Sequence, residues 1–436
     1  MLIWSPKQSP RLQYVFTVLL KEILQYQPPL VFTTNETVFV EAVGAKLQYG
    51  GEPLVRENSI YMVAHGLLWE ENIREPFAPD LNTWQGQPSF FQAKGGIFPF
   101  DMAAAAFFLL SRYEEYWPHT PDAHGRFRAE DSWAFQHNFL NVPLVDIWAQ
   151  HFKKTILSVF PEAVFAQKKY QFLPTFDIDN AFAFKHKGLK RTLLASAADL
   201  LYGRWKNHGN RCLTLAGLRP DVYDTYEALH QLHENLPTNP VIFWLLGDYA
   251  PFDKNLSHEN SAFRRLIQEM AARYEIGIHP SYASFGKEEK VREEKNRLEH
   301  IAGKTITISR QHYLRMKLPE TYQLLIKCGI EIDYSMGYGS QIGFRASTSH
   351  RFSWYDLSTE KMTTLKIQPF AVMDATLRHY LKLSPEEAIS QTQPLIEAVK
   401  ATDGIFCSLL HNEILSDVGE WNGWLSFYQK LIKLAE

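Results

Sequence analysis

Two carboxylates, Asp177 and Asp179, close the apolar run Leu173-Pro174-Thr175-Phe176, and Asn180 follows them directly. In an extended strand alternate side chains share a face, so the pair points the same way. Two like charges so placed repel unless a cation or a shared proton lies beside them. Further along, other strand-like runs each end in a residue that binds metals, moves protons or pairs with carboxylates. Glu275-Ile276-Gly277-Ile278 ends in His279-Pro280-Ser281, and Thr305-Ile306-Thr307-Ile308 ends in Ser309-Arg310-Gln311-His312. Gln341-Ile342-Gly343-Phe344 delivers Arg345, residues 364–368 lead through Pro369-Phe370 towards Asp374, and residues 405–410 end in His411-Asn412-Glu413. Carboxylate oxygens and neutral imidazoles are ligands for a divalent metal ion that keeps a position open for water. A spare carboxylate and a spare imidazole then serve as base and acid. The plainer reading is that such residues cap strands and satisfy loop backbone. Their recurrence past strand after strand weighs against it.

The elements that must position these residues begin near residue 171. From there strand-like runs alternate with helical ones, which predicts a parallel sheet or barrel with helices outside. In such folds chemistry gathers at the C-terminal ends of the strands. Helices are expected over residues 189–201, 223–233, 262–274, 288–300, 319–328 and 385–401, with residues 204–211 as a basic loop. Before this region the pattern is different. Residues 12–26 show helical periodicity, residues 37–40 and 60–63 read as strands, and Gly50-Gly51 reads as a hairpin-type turn. A helix over 101–116 with Asp101 as N-cap, a polar loop at 121–132 and a helix over 145–160 complete this part. The expected division is a small α/β domain at 1–165 and a second domain at 166–436, with the boundary in residues 161–170. His119, His124 and His137, with Asp122, match no metal-ligand spacing and read as a solvated loop.

The bulk numbers exclude several classes. Of the 436 residues 45% are hydrophobic and 21% charged, enough to bury a full core. A net charge of -3 leaves no overall electrostatic footprint for nucleic acid or anionic lipid. Three cysteines without a C-x-x-C exclude a disulfide framework and a structural zinc cluster. No basic-then-apolar leader opens the chain, and the longest apolar run, residues 102–110, is too short for a bilayer. The expectation is a cytoplasmic protein with neither nucleic acid nor membrane as partner. Aromatics reach 14%, enough for some rings to floor a sugar cleft.

Taken in order, these segments resemble the polysaccharide deacetylases of carbohydrate esterase family four. Thr175-Phe176-Asp177-Ile178-Asp179 is similar to the family's T-F-D-D motif with one residue inserted. Glu275-Ile276-Gly277-Ile278-His279-Pro280-Ser281 is similar to E-I-G-x-H-[ST], Arg310 with Pro319 to the third motif, and Leu409-Leu410-His411 to the closing L-x-H. The stretch from Phe107 to Tyr116 resembles the accessory domain that precedes such a domain in a bacterial group. The resemblance implies a distorted (β/α) barrel preceded by a small α/β domain. It implies hydrolysis of an N-acetyl group on an amino sugar or polysaccharide, with zinc as the metal and cobalt or nickel as alternatives. By position, Asp177 matches the catalytic base, Asp179 and His279 match metal ligands, and His411 matches the general acid. Arg310 or Arg345 would hold the base by a bidentate contact, and Asp374 would orient His411. The family's second ligand histidine, four residues after the first, is Ala283 here. His312 is the candidate third ligand, ahead of His186 and His350. The missing histidine also motivates an alternative, a non-catalytic or weakly metallated relative acting as a carbohydrate-binding or scaffold protein. A third class is another hydrolase on the same barrel.

Overall fold

The computed structural model describes residues 1–436 throughout. The chain opens with a parallel sheet of β1 (Leu2–Trp4), β2 (Val31–Thr33), β3 (Lys46–Tyr49) and β4 (Ile60–Met62), ordered β2-β1-β3-β4. The Ser9 hydroxyl accepts from the Leu12 N–H and starts α1 (Pro10–Thr17), and Pro10 gives up an N–H that has no helical partner anyway. The expected strand at 37–40 is instead α2 (Glu36–Glu41). Asn35 caps it by accepting from the Val38 N–H, and this local cap outweighs the β preference of Thr37, Val38 and Val40. Gly50 and Gly51 do take positive φ, 77° and 68°, but β3 and β4 run parallel, so the turn makes no hairpin.

A short antiparallel pair, β5 (Asn82–Trp84) and β6 (Gln87–Ser89), leads to α3 (Met102–Leu110), buried on every side. Asp101 caps α3 through the Ala104 N–H and also accepts from the Tyr49 hydroxyl at 2.6 Å. The helix stops at Leu110 instead of reaching Tyr116 as expected. Arg112 turns into the left-handed region (φ 55°), where Glu114, Glu115 and the Tyr338 hydroxyl take its guanidinium. Then come α4 (Trp133–Gln136) and α5 (Leu144–Val159).

The second part supplies β7 (Gln171–Ile178), α6 (Leu189–Leu201), α7 (Trp205–Leu215), α8 (Tyr226–His233), β8 (Val241–Trp244), α9 (Ser261–Arg273) and β9 (Glu275–Ile278). It continues through α10 (Glu288–Ala302), β10 (Ile308–Ser309), α11 (Glu320–Lys327), β11 (Ile332–Asp333), β12 (Phe352–Asp356), β13 (Lys361–Ile367) and β14 (Val372–Met373). It ends with α12 (Pro385–Lys400), β15 (Ile405–His411) and α13 (Trp424–Ala435). The nine strands from β7 onward form one sheet in the order β12-β13-β11-β10-β9-β8-β7-β15-β14. All its pairings are parallel except β12 with β13. The expected α/β alternation is there, but the barrel does not close: β12 and β14 are edges. An antiparallel pair sits where a closing parallel strand would be needed, and α1 packs on it. The Tyr14 hydroxyl donates to the Ser353 carbonyl at 2.9 Å, and its ring lies 4.8 Å from Tyr355. One large apolar core therefore runs through both parts of the chain. Residues 204–211, expected as a loop, belong largely to α7, and 341–344, expected as a strand, form a loop.

Candidate metal centre and active site

β7 lies between β8 and β15, and His411 is the register partner of Asp177 across the β7–β15 pair. The parallel pairing brings the carboxyl ends of β7, β9, β10 and β15 to one edge, where Asp177, Asp179, His279, His312 and His411 meet. Asp179, His279 and His312 each turn a ligand-type atom to a common point, all within 4.8 Å of one another. His279 Nδ1–H donates to the Arg310 carbonyl at 2.6 Å, which leaves its Nε2 3.3 Å from Asp179 Oδ1. His312 Nδ1 is 2.9 Å from Asp253 Oδ1, and its Nε2 is 3.2 Å from Asp179 Oδ2. Each ring is thus fixed through one nitrogen and offers the other, the arrangement in which imidazoles serve metals.

The fit to a divalent ion is good on this chain's own terms. The donor set is two imidazole nitrogens and one carboxylate, and Asp179 Oδ1 is buried without a hydrogen-bond partner. Burial pushes the Asp179 carboxyl upward, yet His312 and His279 hold it well below the ordinary carboxylate range. Burial disfavours charge on His312, but Asp179 and Asp253 on its two sides carry it up to about 9. A cation is what this spot favours, whether proton or metal.

Asp177 sits deeper. Its Oδ1 accepts from one Arg310 nitrogen at 2.8 Å, and its Oδ2 is 3.6 Å from His279 Nε2. The contact is through one nitrogen, not the bidentate one expected: Arg310 Nε donates to the Tyr334 carbonyl, and Nη2 has no hydrogen-bond partner. The guanidinium is fully buried, 4.5 Å from the centroid of Phe243. Arg345, the other candidate for this place, is elsewhere: it donates to Glu115 through two nitrogens, at 2.8 and 2.5 Å. On the opposite side, Asp374 grips His411 twice. Its Oδ2 accepts from the His411 backbone N–H at 2.7 Å and its Oδ1 lies 2.8 Å from Nδ1. His411 Nε2 remains free, 3.8 Å from Asp179 Oδ2. Burial works against the imidazolium, but Asp374 and the nearby carboxylates lift His411 well above its ordinary value.

A cavity of about 430 Å³ opens over these groups, walled by Tyr313, Tyr380, Trp421 and Arg126. Arg126 comes from the loop expected to be merely solvated. It donates to the Tyr313 carbonyl at 2.8 Å and to the Tyr380 hydroxyl at 3.2 Å. Two functional candidates carried no local signal or were passed over. Asp253 lies in the loop after β8, past Pro251-Phe252 and outside any strand-like run. Glu413 stands two residues past β15 and lines the cavity, where burial carries its carboxyl up to about 7. His350 is buried beside Lys168, 2.9 Å away, and His186 is exposed; neither joins the cluster.

A family model described as a family of unknown function (DUF7033) matches residues 1–161. No curated protein matches the chain. Among solved structures, one similar chain is from Mycobacterium smegmatis and is described as a candidate polysaccharide deacetylase. It is 15% identical with a TM-score of 0.39, covering 62% of this chain and 84% of that one. A polysaccharide deacetylase from Bacillus cereus is 12% identical with a TM-score of 0.30, covering 61% and 88%. A mutant of a CE4 family pseudoenzyme with restored activity is 12% identical with a TM-score of 0.29, covering 61% and 63%. These likenesses are distant, and the functional reading rests on the site itself.

Proposed function

We propose that this chain hydrolyses the N-acetyl group of an amino sugar or polysaccharide and releases acetate, using a divalent ion held by Asp179, His279 and His312. The observation that carries the reading is the meeting of three groups on one cavity floor: a two-imidazole, one-carboxylate cluster, an arginine-held carboxylate and an aspartate-held imidazole. When bound, the ion would polarise the acyl carbonyl and make a water more acidic. Asp177, with Oδ1 tied to Arg310, takes the proton of the attacking water on Oδ2. Arg310 keeps that carboxylate aimed. His411, with Nδ1–H given to Asp374, turns Nε2 to the cavity and protonates the leaving nitrogen. The rings of Tyr313, Tyr380 and Trp421 offer apolar faces to a sugar ring. The sugar class and zinc, with cobalt or nickel as alternatives, come from the sequence resemblance. Residues 1–165 act in this reading as an accessory domain that lends Arg126 to the substrate wall.

The test is acetate release from N-acetylglucosamine oligomers, with metal analysis of protein purified without chelator. The expected result is near-stoichiometric metal and activity in the native chain. In Asp177→Asn, turnover should fall by roughly 10³-fold with metal content kept. Full activity in that variant would sink the role given to Asp177. Absence of metal together with inertness to added zinc, cobalt and nickel would favour the non-catalytic alternative.

A further inference from the structure

Helices α6 and α7 are built inside out. Between them lie charges: Arg211 pairs with Asp199 at 2.8 Å, Asn207 donates to Asp199 at 2.7 Å, and Arg204 sits 3.1 Å away. Toward solvent lie the apolar residues. Leu189, Leu193, Ala197 and Leu201 recur at i, i+4, i+8 and i+12, one stripe of a helix, and that stripe faces outward. Leu193 is 59% exposed, Leu201 80% and Trp205 68%. Scattered exposed leucines need no explanation, but a contiguous ridge on a helical pair marks an interaction surface.

Charge is segregated in the same place. Residues 185–219 hold eight Lys and Arg against one Asp, a local balance of +7 (8 − 1) in a chain whose total is -3. The total therefore hides the patch. Trp205 also lines a cavity of about 1160 Å³ whose wall includes Lys187, Arg191, Lys206, Arg219 and Lys254, none of them in an ion pair. Its carboxylates are Asp417 and Glu420. Arg191 and Lys254 lie over the Tyr249 ring at 4.4 and 4.8 Å, and burial with Arg191 nearby pushes Lys187 down to about 8. Trp421 borders both this cavity and the one over the metal cluster.

An occupant must cover leucines and meet unpaired cations at once. A second copy would set like charges against each other, and a purely apolar partner would leave the cations unneutralised. An anionic bilayer does both: its acyl boundary takes the leucines and its phosphates meet the cations. We propose that α6 and α7 form an interfacial element that seats this chain on an anionic phospholipid surface, with Leu193, Leu194, Leu201 and Trp205 entering the acyl boundary. The attachment is peripheral, since no helix is long and apolar enough to cross a membrane. It runs against the expectation, drawn from net charge, of no membrane partner, and it does not depend on the deacetylase reading.

The test is flotation of the full chain with vesicles of phosphatidylcholine alone or with about 30% phosphatidylglycerol, at low and high salt. Partition is expected to be at least about tenfold stronger onto the anionic vesicles and to weaken with salt. The double variant L193E/L194E, altered only at solvent-facing positions, should lose binding about tenfold with an unchanged circular dichroism spectrum. A second variant, K206E/R219E, should lose the preference for phosphatidylglycerol. Equal partition onto both vesicles would overturn the proposal, as would full binding by L193E/L194E. So would a dimer seen by light scattering that L193E/L194E dissolves.

Discussion

The two histidines proposed as metal ligands are held by unlike partners. His279 gives its Nδ1–H to a backbone carbonyl, whereas His312 leans on the carboxylate of Asp253. Asp253 is itself fixed by the backbone N–H groups of Tyr282 and Ala283, at 2.7 and 3.1 Å. Asp253→Asn is therefore expected to weaken metal binding by about 10- to 100-fold, read by competition with a chelating dye. Unchanged affinity would mean that packing alone orients the ring. Asp374→Asn is expected to lower turnover by about 10²- to 10³-fold while metal content stays whole, because His411 loses the group that fixes its tautomer. Asp177, Asp179, His279, Arg310, His312, Asp374 and His411 were legible because each stands just past an apolar run. Asp253 was not, because its place depends on a loop folding back over the turn after β9. Arg345 was misread for a related reason: 341–344 is no strand, so nothing aims that side chain at the cleft.

At the scale of elements, the site's precision depends on how closely β8, β9 and β10 approach. A Cβ on Gly277 in β9 would fall 2.6 Å from the Phe243 ring and 2.8 Å from Ile308. Phe243 is the ring on which Arg310 rests. Gly277→Ala is expected to destabilise the protein by about 1–3 kcal/mol and to lower turnover, since β9 must move and carries His279 with it. Thermal unfolding with the acetate assay checks both parts. Longer strands and helices were readable from their periodicity. The strand-like run over 305–308 shortens to the two residues of β10, and β11 is equally short; both are held by the neighbours that pair with them. α7 was hidden by Gly209 and by its basic, amide-rich composition. Its regularity comes from the contacts of Arg211 and Asn207 with Asp199 in α6. α13 went unread although Trp424, Phe427, Tyr428, Leu431 and Ile432 repeat on one helical face.

Across the whole molecule, the two parts of the chain are joined by charge as well as by core. Glu115 is buried between Arg345 and Arg112. Burial pushes its carboxyl up, but the two guanidinium groups outweigh this and hold it at about 2 instead of 4.5. An acid whose folded pKa is depressed contributes stability above its unfolded pKa and loses it as pH falls through the folded one. The contribution is on the order of 3 kcal/mol near neutrality, draining away between about pH 4.5 and 2. Denaturant titrations against pH should show that loss in the native chain and a flatter acid limb in Glu115→Gln. Alternation of strands and helices revealed the α/β class, but not that the sheet stays open. Closure depends on which edges meet, and the antiparallel β12–β13 pair covered by α1 is a long-range arrangement no local pattern records.

That joint between Glu115 and Arg345 spans 230 residues of sequence. During synthesis at about 5–20 residues per second, the first part of the chain waits roughly ten to fifty seconds for its partner. For that interval Glu114, Glu115 and Arg112 lack the second arginine, and Tyr14 and Phe107 lack Tyr355 against their rings. Until β12 has left the ribosome, the nascent chain therefore carries an apolar face and a buried-type ion pair without their partners.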